Sequence, residues 1–477
     1  MSHEWGSIAS LVKKVQSGEL KAIDLVEQSL KAIDAHKEFN AIISTVSERA
    51  TAKAKQIDDN VSHKKNVGRL TGVPFIAKDN FLTFGSQTTA ASNILKGFEA
   101  PYQATAIELL EAEGAICVAK ANLDAFAHGV STENSDFMIT KNPHDKSRVP
   151  GGSSGGSAAA VILDIAPFAL GSDTGGSIRL PASYCGAVGF KPTYGLVSRS
   201  GVVAMASSTD VIGPITKSVE DTALIIDVIA KKDSLDSTTI ARQPGSYTNF
   251  DDQIKGKKIG VIKEYMTGGV DKDVLEVINK SLADLQKLGA TLIEVSMPSL
   301  PLALACYYII CPAEVSSNLS RYDGQRFGFS FTNAKTIDES FTQSRSVGFG
   351  AEAKRRIMIG TYVLSSGYYD AYYRQAQIVR TKIIQETNDA FKKVNFLAGP
   401  VAPTTAFEIG QKSNDPLKMY LVDIMTVAAS LTGIPAISVP AGKSKSNHMP
   451  VGLQLMAQKN NDRQLMSLAS KVERTLA

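Results

Sequence analysis

The sequence predicts an α/β protein in which a mixed β-sheet is covered by helices. Short apolar runs with strand character alternate with helical stretches along the chain. No internal repeat or low-complexity linker divides it. Length alone allows two to four domains, yet one large domain, residues 1–477, is the simplest reading.

The elements follow in chain order. Residues 1–60 read as a helical N-terminal segment. From residue 7 on, Ala, Lys and Glu are frequent, and Leu25, Val26, Leu30 and Ile33 recur at helical spacing. Val73–Ala77 is a short apolar run ending in Lys78-Asp79-Asn80, a buried strand that delivers polar residues at its end. A helix over Gln103–Glu113 is stopped by Gly114, and a strand covers Ala115–Ala119. Arg148–Ser157 is a Gly/Ser loop, with a helix leaving it at Ala158–Leu163. Phe168–Leu170 ends a strand before a second loop, Gly171–Ser177. Strands at Lys258–Ile262 and Thr291–Val295 flank a helix near 272–288. Ala351–Lys392 is strongly helical, and Phe396–Ala398, Ile437–Val439 and Gly452–Met456 are further strands. The polar stretch 233–256 reads as a surface excursion.

Composition narrows the class. Hydrophobic residues make up 43% and charged residues 21%, as in ordinary globular chains. Basic and acidic side chains, 51 against 47, nearly balance. No block of Lys and Arg suggests a nucleic-acid or membrane patch, though an RNA partner held by another subunit stays open. Cys117, Cys185, Cys306 and Cys311 form no Cys-x-x-Cys pair, so neither a disulfide framework nor a metal site is expected. No run of about 18 apolar residues calls for a membrane span. The N-terminus lacks signal and transit patterns, and a cytoplasmic location is expected.

Two segments carry the chemistry: Gly151-Gly-Ser-Ser-Gly-Gly-Ser157 and Gly171-Ser-Asp-Thr-Gly-Gly-Ser177. Two embedded loops so close together do not read as a flexible linker. Neither has the lysine of a phosphate-binding loop. Ser153 does sit at the centre of Gly-x-Ser-x-Gly, but a nucleophile elbow needs a downstream histidine. Only His448 follows, in a polar Lys-Ser-Lys-Ser-Asn-His-Met-Pro stretch. Ser-x-x-Lys occurs at Ser10–Lys13 and Ser62–Lys65 without the companions of a β-lactamase. Without histidine, a lysine can act as base if burial lowers its pKa towards neutral. Lys78, at the end of an apolar strand, is placed for that. Taken alone it reads more readily as a strand-end surface lysine.

In three separate places the chain resembles the amidase signature family. Lys78 lies in Gly72-Val-Pro-Phe-Ile-Ala-Lys-Asp-Asn80, Ser153 follows 75 residues later, and Ser177 a further 24 on. Pro150–Ser157, Gly171–Arg179, Cys185-Gly186 and Gly189-Phe-Lys-Pro-Thr193 match as well. The resemblance implies a large mixed sheet with helices on both faces. It makes Ser177 the nucleophile, Ser153 the bridging residue, entered by a cis peptide, and Lys78 the base. It makes the backbone N–H groups of Thr174, Gly175, Gly176 and Ser177 the oxyanion hole, with Asp173 and Arg179 bracing the loop. Ser154 and Ser157 read as loop-packing hydroxyls.

Within the family, the chain resembles the glutaminase subunits of tRNA-dependent amidotransferases, above all in its C-terminal half. The matching segments include Ser131-Thr-Glu-Asn-Ser135, Lys354–Thr361, Ser365–Tyr373 and Asp415–Tyr420. This likeness implies glutamine as substrate, with Arg356 for its α-carboxylate, Asp423 for its α-ammonium and Tyr307 nearby. It implies B and C partner subunits in a heterotrimer, charged tRNA reached through the complex, and ATP and magnesium in the partner rather than in this chain. A stand-alone amidase acting on other small amides is the alternative, and a scaffold subunit that keeps only the fold is a third. Leu123-Asp-Ala-Phe-Ala-His-Gly129 departs from the family's Met-Asp-Glu-Phe-Ala-Met-Gly, Val130 replaces a small residue, and Leu180 stands where glutamine is frequent. His128 reads as a packing residue or as one that tunes the pocket.

Overall fold

The structure is a computed structural model that describes residues 5–251, 253–267, 269–411 and 415–476. The first four residues, on which part of the N-terminal reading rested, lie outside the described residues, as does residue 252 of the expected excursion. Among the described residues, eleven strands form one mixed sheet. They are β1 (Ile42–Thr45), β2 (Pro74–Lys78), β3 (Ile116–Ala121), β4 (Phe168–Asp173), β5 (Val188–Lys191), β6 (Val211–Thr216), β7 (Lys258–Ile262), β8 (Thr291–Val295), β9 (Phe396–Pro400), β10 (Ala436–Lys443) and β11 (Pro450–Ala457). Their spatial order is β1-β3-β2-β4-β6-β5-β10-β11-β9-β7-β8.

Two parallel groups of strands lie towards the two ends of the sheet, with β1 added antiparallel at one edge. β2 runs parallel to β3 and β4, and β7 to β8 and β9. The centre, from β4 through β6, β5, β10 and β11 to β9, is antiparallel. β2, β3 and β4 are buried at every position, as strands covered on both faces must be. That is why Val73–Ala77, Ala115–Ala119 and Phe168–Leu170 read as apolar runs.

Several expectations change. The N-terminal segment is not all helix. Helices Ile8–Gln16, Ala22–Ala35 and Ser47–Ser62 are interrupted by β1, which pairs antiparallel with β3. Its short Ile-Ile-Ser-Thr stretch was hidden between stronger helical patterns. Gly171–Asp173 is not loop but the end of β4, paired with Val211–Gly213 of β6. Gly155–Ser157 likewise belongs to a helix, Gly155–Ile162. β5 and β6 were missed because glycine and Pro214 break their apolar pattern. Ala351–Lys392 divides into Ala351–Leu364, a π-helical stretch Tyr369–Arg374 and Gln375–Phe391. Gly367, at φ +86°, makes the break.

The stretch 233–256 carries no helix or strand among its described residues. It is anchored by Asp236, whose two oxygens take Nε and Nη2 of Arg199, both at 3.0 Å. One continuous helical stretch, Leu300–Arg321, has the length and hydropathy of a bilayer span. Half of it is buried inside the fold, where Cys306, Ile310 and Val315 join the core beneath Ala353 and Ile383.

Candidate active site

Lys78 is the last residue of β2, and the sheet decides its surroundings. Pairing Ala77 with Leu170 sets the strand end beside Gly171 and Ser172 of β4. The turn entering helix Gly155–Ile162 packs over the same point. A Cβ on Gly171 would come within 2.9 Å of Ser154 Oγ, so glycine there lets the two segments close. The Gly152–Ser153 peptide is cis.

Lys78 is fully buried. Its Nζ donates to Ser153 Oγ at 2.8 Å, Ser154 Oγ at 2.9 Å and Ser172 Oγ at 2.9 Å, with Ser172 O at 3.4 Å. These partners are three hydroxyls and a carbonyl, with no carboxylate among them. Burial therefore lowers the ammonium pKa from 10.5 to about 7, and the more distant Asp124, Asp173 and Asp210 only partly oppose it. An amine depressed to near neutrality can give up its proton, and this one touches a hydroxyl that can receive or give one. Ser154 and Ser172 are thus more than packing groups: they orient the amine. The sequence placed both in the loops but could not show which hydroxyls faced inward.

Ser177 follows the end of β4. Its carbonyl accepts from Ser154 N at 3.1 Å, which lays the two serine-bearing turns side by side. Lys78 and Ser153 expose no surface, whereas Ser177 keeps 7% exposed. Of the three, only Ser177 can meet a substrate. Among the described residues, no protein acceptor takes a hydrogen bond from the backbone N–H of Thr174, Gly175, Gly176 or Ser177. Four adjacent backbone donors are thus without a protein partner.

The loop is held from three sides. Arg179, fully buried, grips Asp173 through Nε at 3.0 Å and Nη2 at 2.9 Å, and reaches Thr426 O at 3.0 Å and Gln454 Oε1 at 2.7 Å. That charge pair keeps the Asp173 carboxyl below its usual range against the opposing effect of burial. Thr426 Oγ1 donates to Gly175 O at 2.6 Å. Thr174 Oγ1 donates to Asp210 at 2.7 Å. A Cβ on Gly176, at φ +146°, would collide with Thr426. A Cβ on Gly175 would lie 2.7 Å from the Tyr307 hydroxyl, so Tyr307 forms a wall of the same loop.

Arg356 and Asp423 meet around Tyr308, a residue the sequence did not single out. Tyr308 Oη donates to Asp423 Oδ2 at 2.9 Å. The Arg356 guanidinium lies 5.3 Å from the Tyr308 ring and 5.7 Å from that of Tyr420, and these rings stack at 3.9 Å. Arg356 Nε also pairs with Glu352 at 2.9 Å. Burial raises the Asp423 pKa to about 7, with Tyr308 and Arg356 pulling it back. A cavity of about 200 Å³ opens beside Arg356, lined also by Asp124, His128, Tyr308 and Tyr420. Asp124 was missed too. Its carboxyl, raised by burial to about 6, takes N–H bonds from Thr132 at 2.9 Å and Asn134 at 3.1 Å. It also abuts Gly152, so it links cavity to catalytic turn. Val130 and Leu180 share one apolar cluster. His448, the alternative base, is exposed on the β10–β11 turn. Among the described residues, no cluster of three His, Cys, Asp or Glu could hold a metal.

The model of the family described as Amidase matches residues 24–466. The chain belongs to the amidase family. This amidase is 49% identical over 452 residues to the A subunit of glutamyl-tRNA(Gln) amidotransferase from Geobacillus thermodenitrificans (strain NG80-2), covering 94% of this chain and 93% of the relative. It is 47% identical over 470 residues to the protein of the same name from Caldanaerobacter subterraneus, covering 98% and 96%. Among solved structures, the glutamyl-tRNA(Gln) amidotransferase A subunit of Thermotoga maritima superposes with a TM-score of 0.78 at 40% identity, covering 95% of this chain and 91% of that one. The native peptide amidase of Stenotrophomonas maltophilia gives 0.82 at 26% identity, covering 98% and 96%. The amidase fold therefore does not separate the two kinds of enzyme. Sequence identity does, and it favours the amidotransferase proteins.

Proposed function

We propose that this chain is the glutamine-hydrolysing subunit of a tRNA-dependent amidotransferase. Ser177 attacks the side-chain amide, since it alone of the three residues reaches the surface. Its proton passes through Ser153 to neutral Lys78. The N–H groups of residues 174–177 hold the developing oxyanion. Lys78, through Ser153, returns the proton to the departing ammonia, and water then releases glutamate from the acyl-enzyme by the same relay. Arg356 takes the α-carboxylate, Asp423 takes the α-ammonium, and Tyr307 shapes the wall beside Gly175. The observation that carries this reading is Lys78, fully buried without a carboxylate partner and 2.8 Å from Ser153 Oγ.

The ammonia serves B and C subunits that bind charged tRNA, Glu-tRNA(Gln) or Asp-tRNA(Asn), and the complex works in the cytoplasm. ATP and magnesium belong to a partner subunit. Neither Gly/Ser loop here has the lysine of a phosphate-binding loop, and no step in this chain uses them. The test is glutaminase activity of the chain co-expressed with candidate partners, with and without charged tRNA and ATP. Stimulation by both is the expected result. Strong turnover of simple amides by the lone chain, indifferent to partners, would establish the stand-alone amidase instead.

A further inference from the structure

We propose that Thr426 is a positioning residue for the oxyanion hole: its side-chain hydroxyl fixes the direction of the Gly176 N–H. This rests on the hole assigned to residues 174–177 above and adds to it the residue that orients one of its donors.

The Gly175–Gly176 peptide is the freest in the loop. Turning it changes ψ of Gly175 and φ of Gly176, and neither residue has a Cβ to resist. Glycine is needed at both positions, because a Cβ would meet Tyr307 at Gly175 and Thr426 at Gly176. Local backbone chemistry therefore lets this peptide face either way, and another group must hold it. Thr426 does so. It is completely buried, and its Oγ1 donates to Gly175 O at 2.6 Å. Among the described residues no other donor reaches that carbonyl.

A trans peptide is planar, with its C=O and N–H pointing in opposite directions. The cis bond of this chain lies at Gly152–Ser153, not here. Holding the Gly175 carbonyl towards Thr426 therefore turns the Gly176 N–H away from it. That N–H has no protein acceptor among the described residues. Thr426 is itself fixed from two sides. Its N–H donates to Asp423 O at 2.9 Å, and its carbonyl accepts from Arg179 Nη1 at 3.0 Å. Arg179 also grips Asp173 at the end of β4, so the hydroxyl and the loop it holds share one anchor. Asp423 O lies 3.1 Å from the same hydroxyl, a longer contact than the one to Gly175.

The test compares Thr426→Val and Thr426→Ser in the full chain assembled with its partner subunits, well below the melting temperature of each variant. The substrates are glutamine and butyramide, an amide with neither carboxylate nor ammonium. Valine keeps the branched shape without the hydroxyl, and serine keeps the hydroxyl. Removing an oxyanion-hole donor outright costs about 10²–10³ in kcat, and a donor left free to turn costs less. Thr426→Val is therefore expected to lower kcat about 10–100-fold on both substrates, with the glutamine KM within about threefold. Thr426→Ser is expected to keep kcat within about threefold of the wild-type value. If Thr426→Val does not fold, Thr426→Ala against Thr426→Ser gives the same contrast. An unchanged kcat in Thr426→Val, or an equal loss in both variants, overturns the proposal. So does a loss on glutamine alone carried by KM, which would place Thr426 with the head site at Asp423. A wild-type enzyme that cleaves butyramide but not glutamine overturns the glutaminase reading only, and the Thr426 contrast is then read on butyramide.

Discussion

Lys78 and Lys120 sit on neighbouring parallel strands, β2 and β3, one residue apart in register. Both are fully buried. Lys120 pairs with Asp79 at 2.9 Å and donates to Phe81 O at 2.8 Å. Lys78 faces hydroxyls and a carbonyl. The first is a structural ion pair, and the second is the proposed base. Lys191 completes the comparison. It too is fully buried, with its pKa lowered to about 7, but its Nζ donates to Pro192 O at 3.2 Å. Burial without a counter-ion lowers a lysine's pKa. It becomes chemistry only where the amine touches a hydroxyl that can carry the proton onward.

The largest expected effect breaks the relay. Ser177→Ala and Lys78→Met should each lower amide turnover by about 10⁴-fold or more, read by ammonia release. Lys78→Met should leave the melting temperature unchanged or raise it, because it removes a buried amine without an ion-pair partner. Wild-type turnover in Ser177→Ala would end the proposed mechanism. Next comes the opposite lysine. Lys120→Met should leave Asp79 buried and unpaired, destabilising the fold by about 3–5 kcal/mol in denaturant unfolding. Molecules that remain folded should keep most of their activity. If Lys120→Met instead removed activity without loss of stability, the contrast between the two lysines would fail.

A smaller effect tests the head site. Arg356→Ala should reduce kcat/KM for glutamine by about 1.5–3 kcal/mol and leave butyramide nearly untouched. Equal losses would remove Arg356 from the carboxylate site. The smallest is the pH profile. Lys78 must be neutral to accept a proton, so kcat should rise with pH through about 7. Between pH 7 and pH 6 it should fall about fivefold. The same depressed pKa has a stability consequence. The unfolded lysine binds more protons than the folded one between about 7 and 10.5, so this group makes the fold more stable as pH rises across that window. A flat rate profile from pH 6 to 8 would mean that Lys78 is not the titrating base.

The fold was legible where strands are buried on both faces, as in β2 and β3, and in the apolar runs of β7 and β8. It was not legible in β6, where Gly213 and Pro214 interrupt a central strand. There neighbouring strands impose the extended backbone that local propensity does not favour. Tyr307 and Tyr308 make the same point within the site. Adjacent on one helix, they point about 100° apart. One lies against Gly175 and the other binds Asp423.

By itself, the sequence determined the alternating α/β architecture and, through its resemblance to the amidase signature family, the candidate triad Lys78, Ser153 and Ser177. Those depend on residue type and spacing, which a linear chain carries. Tertiary structure alone decided that Lys78 lacks a carboxylate partner while Lys120 has one. It alone showed that Ser154 and Ser172 hold the amine, that Tyr308 joins Arg356 to Asp423, and that Thr426 holds the Gly175 carbonyl. Each of these depends on what surrounds a buried group, and packing brings those surroundings together from distant parts of the chain.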